Sequence, residues 1–248
     1  GTLDEKQEAA LQLAKSGKNF FLTGCPGTGK SHTARVIIAE LRKLHPHGVM
    51  VTAPTGVAAL NLGGQTMHSK PGPGVPQGTM ERFEKVMLSK ANSKVWKKLK
   101  VLVVDEVSMA DAEFFDWYLD SVCRLTPNVQ VILIGDFAQL PPVGETRSKS
   151  LNSKSYLDEC VETVDNATGL TNLPVPFGIK ECTGKYAFQS ACWRALKLET
   201  VQLTLVHRTR DTVLLRALDD MRAGDGNTPA VKELVACTQR PLHPIDGV

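Results

Sequence analysis

Residues 24–31 read Gly-Cys-Pro-Gly-Thr-Gly-Lys-Ser and constrain this chain more than any other stretch. An apolar run at 19–23 leads into them, and helical apolar spacing follows over 31–44. A strand must therefore enter a tight loop and a helix must leave it. Glycine supplies the left-handed backbone such a loop needs, because other residues reach it only at a cost. The G-x-x-x-x-G-K-[ST] spacing adds what an ordinary glycine-rich turn does not require, a lysine and a hydroxyl at the helix start. Backbone N–H groups and the positive end of the helix dipole then converge on an anion. The pattern predicts a phosphate-binding loop in which Gly24, Cys25, Pro26, Gly27, Thr28, Gly29, Lys30, Ser31 and His32 contact a nucleotide. Lys30 is placed to reach the β- and γ-phosphates, and the Ser31 hydroxyl to ligate Mg²⁺.

The same strand–helix alternation runs through much of the chain. Residues 19–23, 49–53, 101–104, 129–134 and 200–206 read as strands, most of them apolar throughout rather than alternating. Residues 3–15, 31–44, 111–125 and 211–222 carry helical spacing. Continuously apolar strands belong in a parallel sheet covered on both faces, so the expectation is an α/β fold built from right-handed β-α-β units. With 248 residues and 42% apolar content, the chain is long enough to bury a core of that size. No apolar run is long enough to span a membrane, and the first residues lack a secretory pattern. The six cysteines never form a C-x-x-C pair, which argues against zinc ribbons and disulfide scaffolds and for a reducing intracellular setting. The net charge of +3 discriminates nothing.

Two further strand ends carry chemistry. Residues 101–106, Val-Leu-Val-Val-Asp-Glu, end an apolar strand in two carboxylates. Ligands of a parallel sheet sit beyond the carboxyl ends of its strands. Asp105 is thereby expected to hold Mg²⁺ and Glu106 to orient and polarise an attacking water. The competing reading is a capped helix start. The following strand ends in Gly135-Asp136-Phe137-Ala138-Gln139-Leu140-Pro141-Pro142, where Gln139 can report a γ-phosphate unless this is merely an Asp-based turn.

Taken in order, these residues resemble the petite-integration-frequency (PIF) family of superfamily-1 DNA helicases. Leu3-Asp4-Glu5-Lys6-Gln7 is similar to its adenine-reading segment, with Gln7 at the matching position. Residues 52–59 and 63–69 resemble the segment that grips single-stranded DNA, and residues 104–109 and 135–142 its second and third motifs. Residues 186–193 and 203–208 resemble later segments, which implies that Arg208 approaches the γ-phosphate. The family's characteristic stretch between the second and third motifs is only partly recognisable, at 116–124, and Lys70 stands where an aromatic residue commonly follows His-Ser.

A DNA face is also legible chemically. Pro54, Thr55, Gly56, Thr66, His68 and Ser69 offer small donors and close backbone approach beyond a strand end, suited to phosphates rather than base edges. A glycine-rich turn followed by a helix cap would look alike. Residues 82–100 carry seven basic residues against one acid. That lysine-rich helical stretch is either a solvated face or, as the resemblance implies, part of a small subdomain at the DNA fork. Lys94, Lys97 and Lys98 are assigned to phosphate tracking, and Trp96 to the core in preference to base stacking. His45 and His47 are too close in sequence to share a helical face, which disfavours a metal site. Cys25, inside the phosphate loop, is a candidate for oxidative block of nucleotide entry.

The combined expectation is a P-loop NTPase with a RecA-like parallel sheet flanked by helices. Residues 1–69 and 101–143 would form the motor domain, 70–100 a small inserted basic subdomain, 144–185 an insertion or mobile loop, and 186–248 the end of the motor domain and the start of a second one. The resemblance implies ATP and Mg²⁺ as cofactors, single-stranded DNA and DNA forks as partners, and 5′-to-3′ translocation. It further implies a monomer, a second RecA-like domain downstream, and residence in nucleus or mitochondrion if the source is eukaryotic. The alternatives are a nucleotide-gated DNA-binding module without its own ATPase and a RecD-like recombination subunit.

Overall fold

The computed structural model describes residues 2–74, 80–142, 186–209 and 211–237. The expected insertion at 144–185 lies outside them. By contacts the chain divides into two units, one of residues 1–25 with 29–204, the other of residues 26–28 with 205–248.

The first unit is built on six parallel strands: β1 (Phe20–Gly24), β2 (Val49–Ala53), β3 (Gln65–Thr66), β4 (Val101–Val104), β5 (Gln130–Ile134) and β6 (Glu199–Leu203). They lie in the order β3-β2-β4-β5-β1-β6. Among the described residues the unit also contains helices α1 (Glu5–Lys15), α2 (Lys30–Leu44), α3 (Gly56–Asn61), α4 (Met80–Met87), α5 (Lys90–Trp96), α6 (Ala112–Leu125) and α7 (Ala191–Ala195).

Both faces of the sheet are covered, which is why its central strands read as continuous apolar runs. Side chains alternate across a strand. Val101 and Val103 of β4, with Ile132 and Ile134 of β5, therefore join Ala10, Leu11, Ile37 and Leu41 of α1 and α2. Leu102, Val104, Val131 and Leu133 face the other way, onto Trp96, Phe115, Tyr118 and Leu119. Phe83 and Met87 of α4 belong to that same second core, so the basic stretch is anchored to the sheet through its apolar residues.

The element ends expected from sequence match closely at β2 and β4 and drift at β6. The expected strand 200–206 is observed as Glu199–Leu203. Paired among the described residues with β1 alone, β6 alternates exposed and buried residues from Thr200 to Leu203 rather than burying all of them. Helix α3 and strand β3 carry too few residues for any period to show. The first is held by a Thr55 cap and the second by pairing of Ala53 with Thr66.

The second unit contains α8 (Thr212–Arg222) and α9 (Pro229–Cys237), packed through Ala217, Ala230, Val231 and Leu234. Asp211 caps α8 by accepting from the N–H groups of Val213 and Leu214, each at 3.0 Å. Within this unit the His207 N–H also donates to the Gly27 carbonyl at 2.9 Å. No described helix is long and apolar enough to cross a membrane.

Candidate nucleotide and DNA site

The residues from Gly24 to Ser31 connect β1 to α2, as the spacing requires. Gly29 stands at the N-cap of α2 with φ 85°, and no side chain caps the helix there. A helix start without a side-chain cap is where an anion meets backbone N–H groups and the positive end of the helix dipole. Gly27 also has positive φ, 84°, and a Cβ there would come within 2.9 Å of the Arg208 Cβ. Conformation and space both demand glycine at this position. Lys30 Nζ donates to the carbonyls of Gly24 at 2.7 Å and Cys25 at 3.3 Å, curled over the loop whose phosphates it is expected to bind. Ser31 and His32 are exposed in the first turn of α2, Cys25 is half-buried and Pro26 exposed, whereas Thr28 is buried.

Asp105 and Glu106 follow β4 directly. The capped-helix alternative is not what forms. Helix α6 takes its cap from Asp111, which accepts from Phe114 N–H at 2.9 Å. Asp105 instead accepts the N–H of Glu106 at 3.0 Å, and Glu106 adopts a left-handed backbone, φ 51° and ψ 41°, before the one-turn helix Val107–Met109. A non-glycine residue in that region carries strain of the kind found at functional sites. Asp105 is only 5% exposed. Burial, together with the neighbouring Glu106 charge, pushes its carboxyl from 3.8 up to about 6. The Glu106 N–H and the cations Lys30 and Arg35 pull the other way. Lys30 of the phosphate loop therefore acts electrostatically on Asp105 at the end of β4. A buried acid beside a second acid is a donor set that a cation would relieve.

At the end of β5 the Asp-based turn forms. Asp136 is fully buried. It organises the turn by accepting from Ala138 N–H at 3.1 Å, while its second oxygen accepts from Gln139 Nε2 at 2.8 Å. The Asp-based turn is thus the device that holds the exposed Gln139. Phe137, between them, packs against Phe21, Trp193 and Phe188 at centroid separations of 5.7, 5.6 and 4.8 Å.

Gln7 is buried and closes a reciprocal cap on α1. Its N–H donates to Asp4 Oδ1 at 2.9 Å and its Oε1 accepts from the Asp4 N–H at 3.1 Å. Capping fixes the rotamer of the residue that the resemblance assigns to adenine.

Thr55, Gly56, Thr66, His68 and Ser69 gather beyond the carboxyl ends of the neighbouring strands β2 and β3, with Pro54 leading into them. Thr55 caps α3 through Ala58 N–H at 3.3 Å, so the helix-cap alternative is also realised. Thr66 Oγ1 accepts from Ser69 N–H at 3.1 Å and lies 2.7 Å from Ser69 Oγ. His68 stacks on Phe114 with centroids 4.4 Å apart.

Lys94, Lys97 and Lys98 are exposed. They occupy α5 and the turn before β4, and the neighbouring Lys100 N–H donates to the Gly48 carbonyl just ahead of β2. Lys97 and Lys98 thus lie shortly before the amino end of β4. Trp96 is fully buried and its Nε1–H donates to the Pro71 carbonyl at 3.2 Å, as expected of a core residue. Arg208 belongs to the second unit, exposed and beside Gly27. Reading motifs alone misses Asp116, whose carboxylate accepts from the N–H groups of Ala191 at 3.1 Å and Cys192 at 2.8 Å. Nothing in the local pattern of α6 points to α7.

The chain is similar to known proteins over nearly its whole length. The model of a family described as PIF1-like helicase matches residues 2–167. ATP-dependent DNA helicase PIF1 of Candida albicans is 33% identical over 255 residues, covering 99% of this chain and 25% of that protein. ATP-dependent DNA helicase RRM3 of Saccharomyces cerevisiae is 28% identical over 252 residues, covering 98% of this chain and 30% of that protein. This chain spans about a quarter of the length of the first relatives it matches. Among solved structures, the Pif1 helicase from Candida albicans superposes with a TM-score of 0.77 at 31% identity, over 100% of this chain and 50% of that one. A Bacteroides Pif1 helicase in complex with ADP-AlF3 and ssDNA shares the fold, with a TM-score of 0.71 at 24% identity over 99% of this chain and 52% of that one.

Proposed function

Because the chain belongs to the PIF1-like helicase family, we propose that it forms the ATP-hydrolysing, single-stranded-DNA-gripping part of a DNA helicase. In this reading the helicase moves 5′-to-3′ along DNA, acts on forks, and works as a monomer with a second RecA-like domain downstream in the full-length protein. The observation that carries the proposal is the arrangement around Asp105. A buried carboxylate at the end of β4 is opposed by Glu106 and relieved by Lys30 of the phosphate loop.

The uncapped start of α2 binds the phosphates through backbone N–H groups, and Lys30 leaves its carbonyl partners to follow the β- and γ-oxygens. Ser31 and Asp105 would hold Mg²⁺, which when bound supplies charge to offset that of the phosphoryl oxygens. Glu106 orients the attacking water and draws off its proton. Gln139, steadied by Asp136, contacts the terminal phosphate, and Arg208 adds positive charge as the phosphoryl group leaves. Gln7 reads the adenine edge. Residues 54–56 and 66–69 hold the DNA backbone, with Lys94, Lys97 and Lys98 as a separate basic patch that tracks more distant phosphates.

The test is ATP turnover with and without single-stranded DNA, in wild type and in Glu106→Gln. DNA should accelerate the wild type. The substitution should cut turnover by about 10²-fold or more while nucleotide affinity stays within about threefold. Unchanged turnover in Glu106→Gln would remove the general base from the scheme. Binding of ATP and DNA without any turnover would favour the nucleotide-gated module.

A further inference from the structure

Arg35 lies on α2 five residues beyond Lys30, about 7.5 Å further along the helix axis. Its guanidinium leaves α2 and donates to the carbonyl of Asn61, from Nη2 at 3.2 Å and from Nε at 3.4 Å. Asn61 is the last residue of α3, and Thr55, in the DNA-gripping segment, caps the other end. With six residues, α3 is about 9 Å long. It is too short to flex internally, so a displacement at Asn61 is felt at Thr55.

The turn that ends α3 shows why this link matters. The carbonyls of Ala59 and Leu60 are met from within it, by the N–H groups of Leu62, Gly63 and Gly64. The Asn61 carbonyl is met from the phosphate-loop helix instead. A cation at the carboxyl end of a helix is also favoured by the helix dipole. Arg35 thus ties the element that begins in the phosphate loop to the element that begins in the DNA segment, and neither backbone makes that connection. It also sits close enough to Asp105 for its charge to act on that carboxylate.

We propose that Arg35 is a positioning residue that transmits the nucleotide state from α2 to the DNA-gripping end of α3, an inference resting on the function proposed above. Coupling of this kind is reciprocal: if nucleotide alters the grip on DNA, DNA alters the affinity for nucleotide by the same factor. The side chain is exposed, so its loss leaves the core untouched and the fold intact.

The experiment measures the affinity for a fluorescent oligodeoxythymidine by anisotropy, with ADP and then with a non-hydrolysable ATP analogue, in wild type, Arg35→Ala and Arg35→Lys. In wild type the two affinities should differ by about tenfold. In Arg35→Ala the ratio should collapse to within about twofold of unity, and Arg35→Lys, which keeps the charge and one donor, should restore part of it. A wild-type ratio retained in Arg35→Ala overturns the inference and leaves the proposed function standing. So does equal weakening of both affinities, which would mark a merely structural role. A wild type whose DNA affinity ignores nucleotide overturns the proposed function and this inference with it.

Discussion

Asp105→Asn should make the metal-free protein more stable while disabling it. Asn keeps the shape and the oxygen that accepts the Glu106 N–H at 3.0 Å, and removes only the charge. Asp105 is held at about 6 in the folded chain against an ordinary 3.8. Between those two values the folded state retains a proton that the unfolded state has lost. Stability therefore falls as pH rises through that window, and the loss is complete above it. At about 1.4 kcal/mol per pH unit, the ionised carboxylate costs about 3 kcal/mol at pH 7.5 and under ~1 kcal/mol at pH 4. For a chain of this size the larger figure corresponds to roughly 5–10 °C in the unfolding midpoint. Thermal unfolding in chelator at the two pH values measures it directly. The variant should lead by that margin at pH 7.5, and the lead should shrink at pH 4. Adding Mg²⁺ and nucleotide should then raise the wild-type midpoint more than that of the variant. A lead that is absent at pH 7.5, or equal at both pH values, refutes the claim that burial and Glu106 oppose the charge.

Three other perturbations follow from the same geometry. Gly27→Ala combines a left-handed φ of 84° with a Cβ within 2.9 Å of the Arg208 Cβ; a strain of about 1–2 kcal/mol should appear as weaker ATP binding in a calorimetric titration. Trp96→Ala empties a fully buried site and frees the Pro71 carbonyl, and should cost about 3–5 kcal/mol in urea unfolding. Replacing Lys94, Lys97 and Lys98 together by Ala should lower the slope of log affinity for single-stranded DNA against log salt by up to ~2 if the strand passes over α5. A slope that does not move assigns these lysines to a solvated face.

The local pattern alone was enough to specify the phosphate loop, because its glycines, lysine and serine have fixed spacing and each answers a backbone or charge requirement within eight residues. The central strands were equally legible. Burial on both faces forces every position of β4 to be apolar, and that leaves a mark no surface element makes. The carboxylate pair could be placed at a strand end for the same reason. Partners brought in from distant parts of the chain decided the rest. Whether Asp105 would cap a helix or stand buried beside Glu106 depended on Asp111 taking the cap of α6. The basic stretch lies in sequence between the DNA segment and β4, and its seat on the sheet depends on Phe83, Met87 and Trp96 finding the same core. Asp116 falls in a stretch that resembles a family segment and Arg35 in a plain helix, yet neither shows in the sequence what its side chain meets. Each makes its bonds with backbone groups far along the chain, at Ala191, Cys192 and Asn61. A backbone N–H or carbonyl looks the same in every residue, so only the folded chain reveals which one a side chain meets.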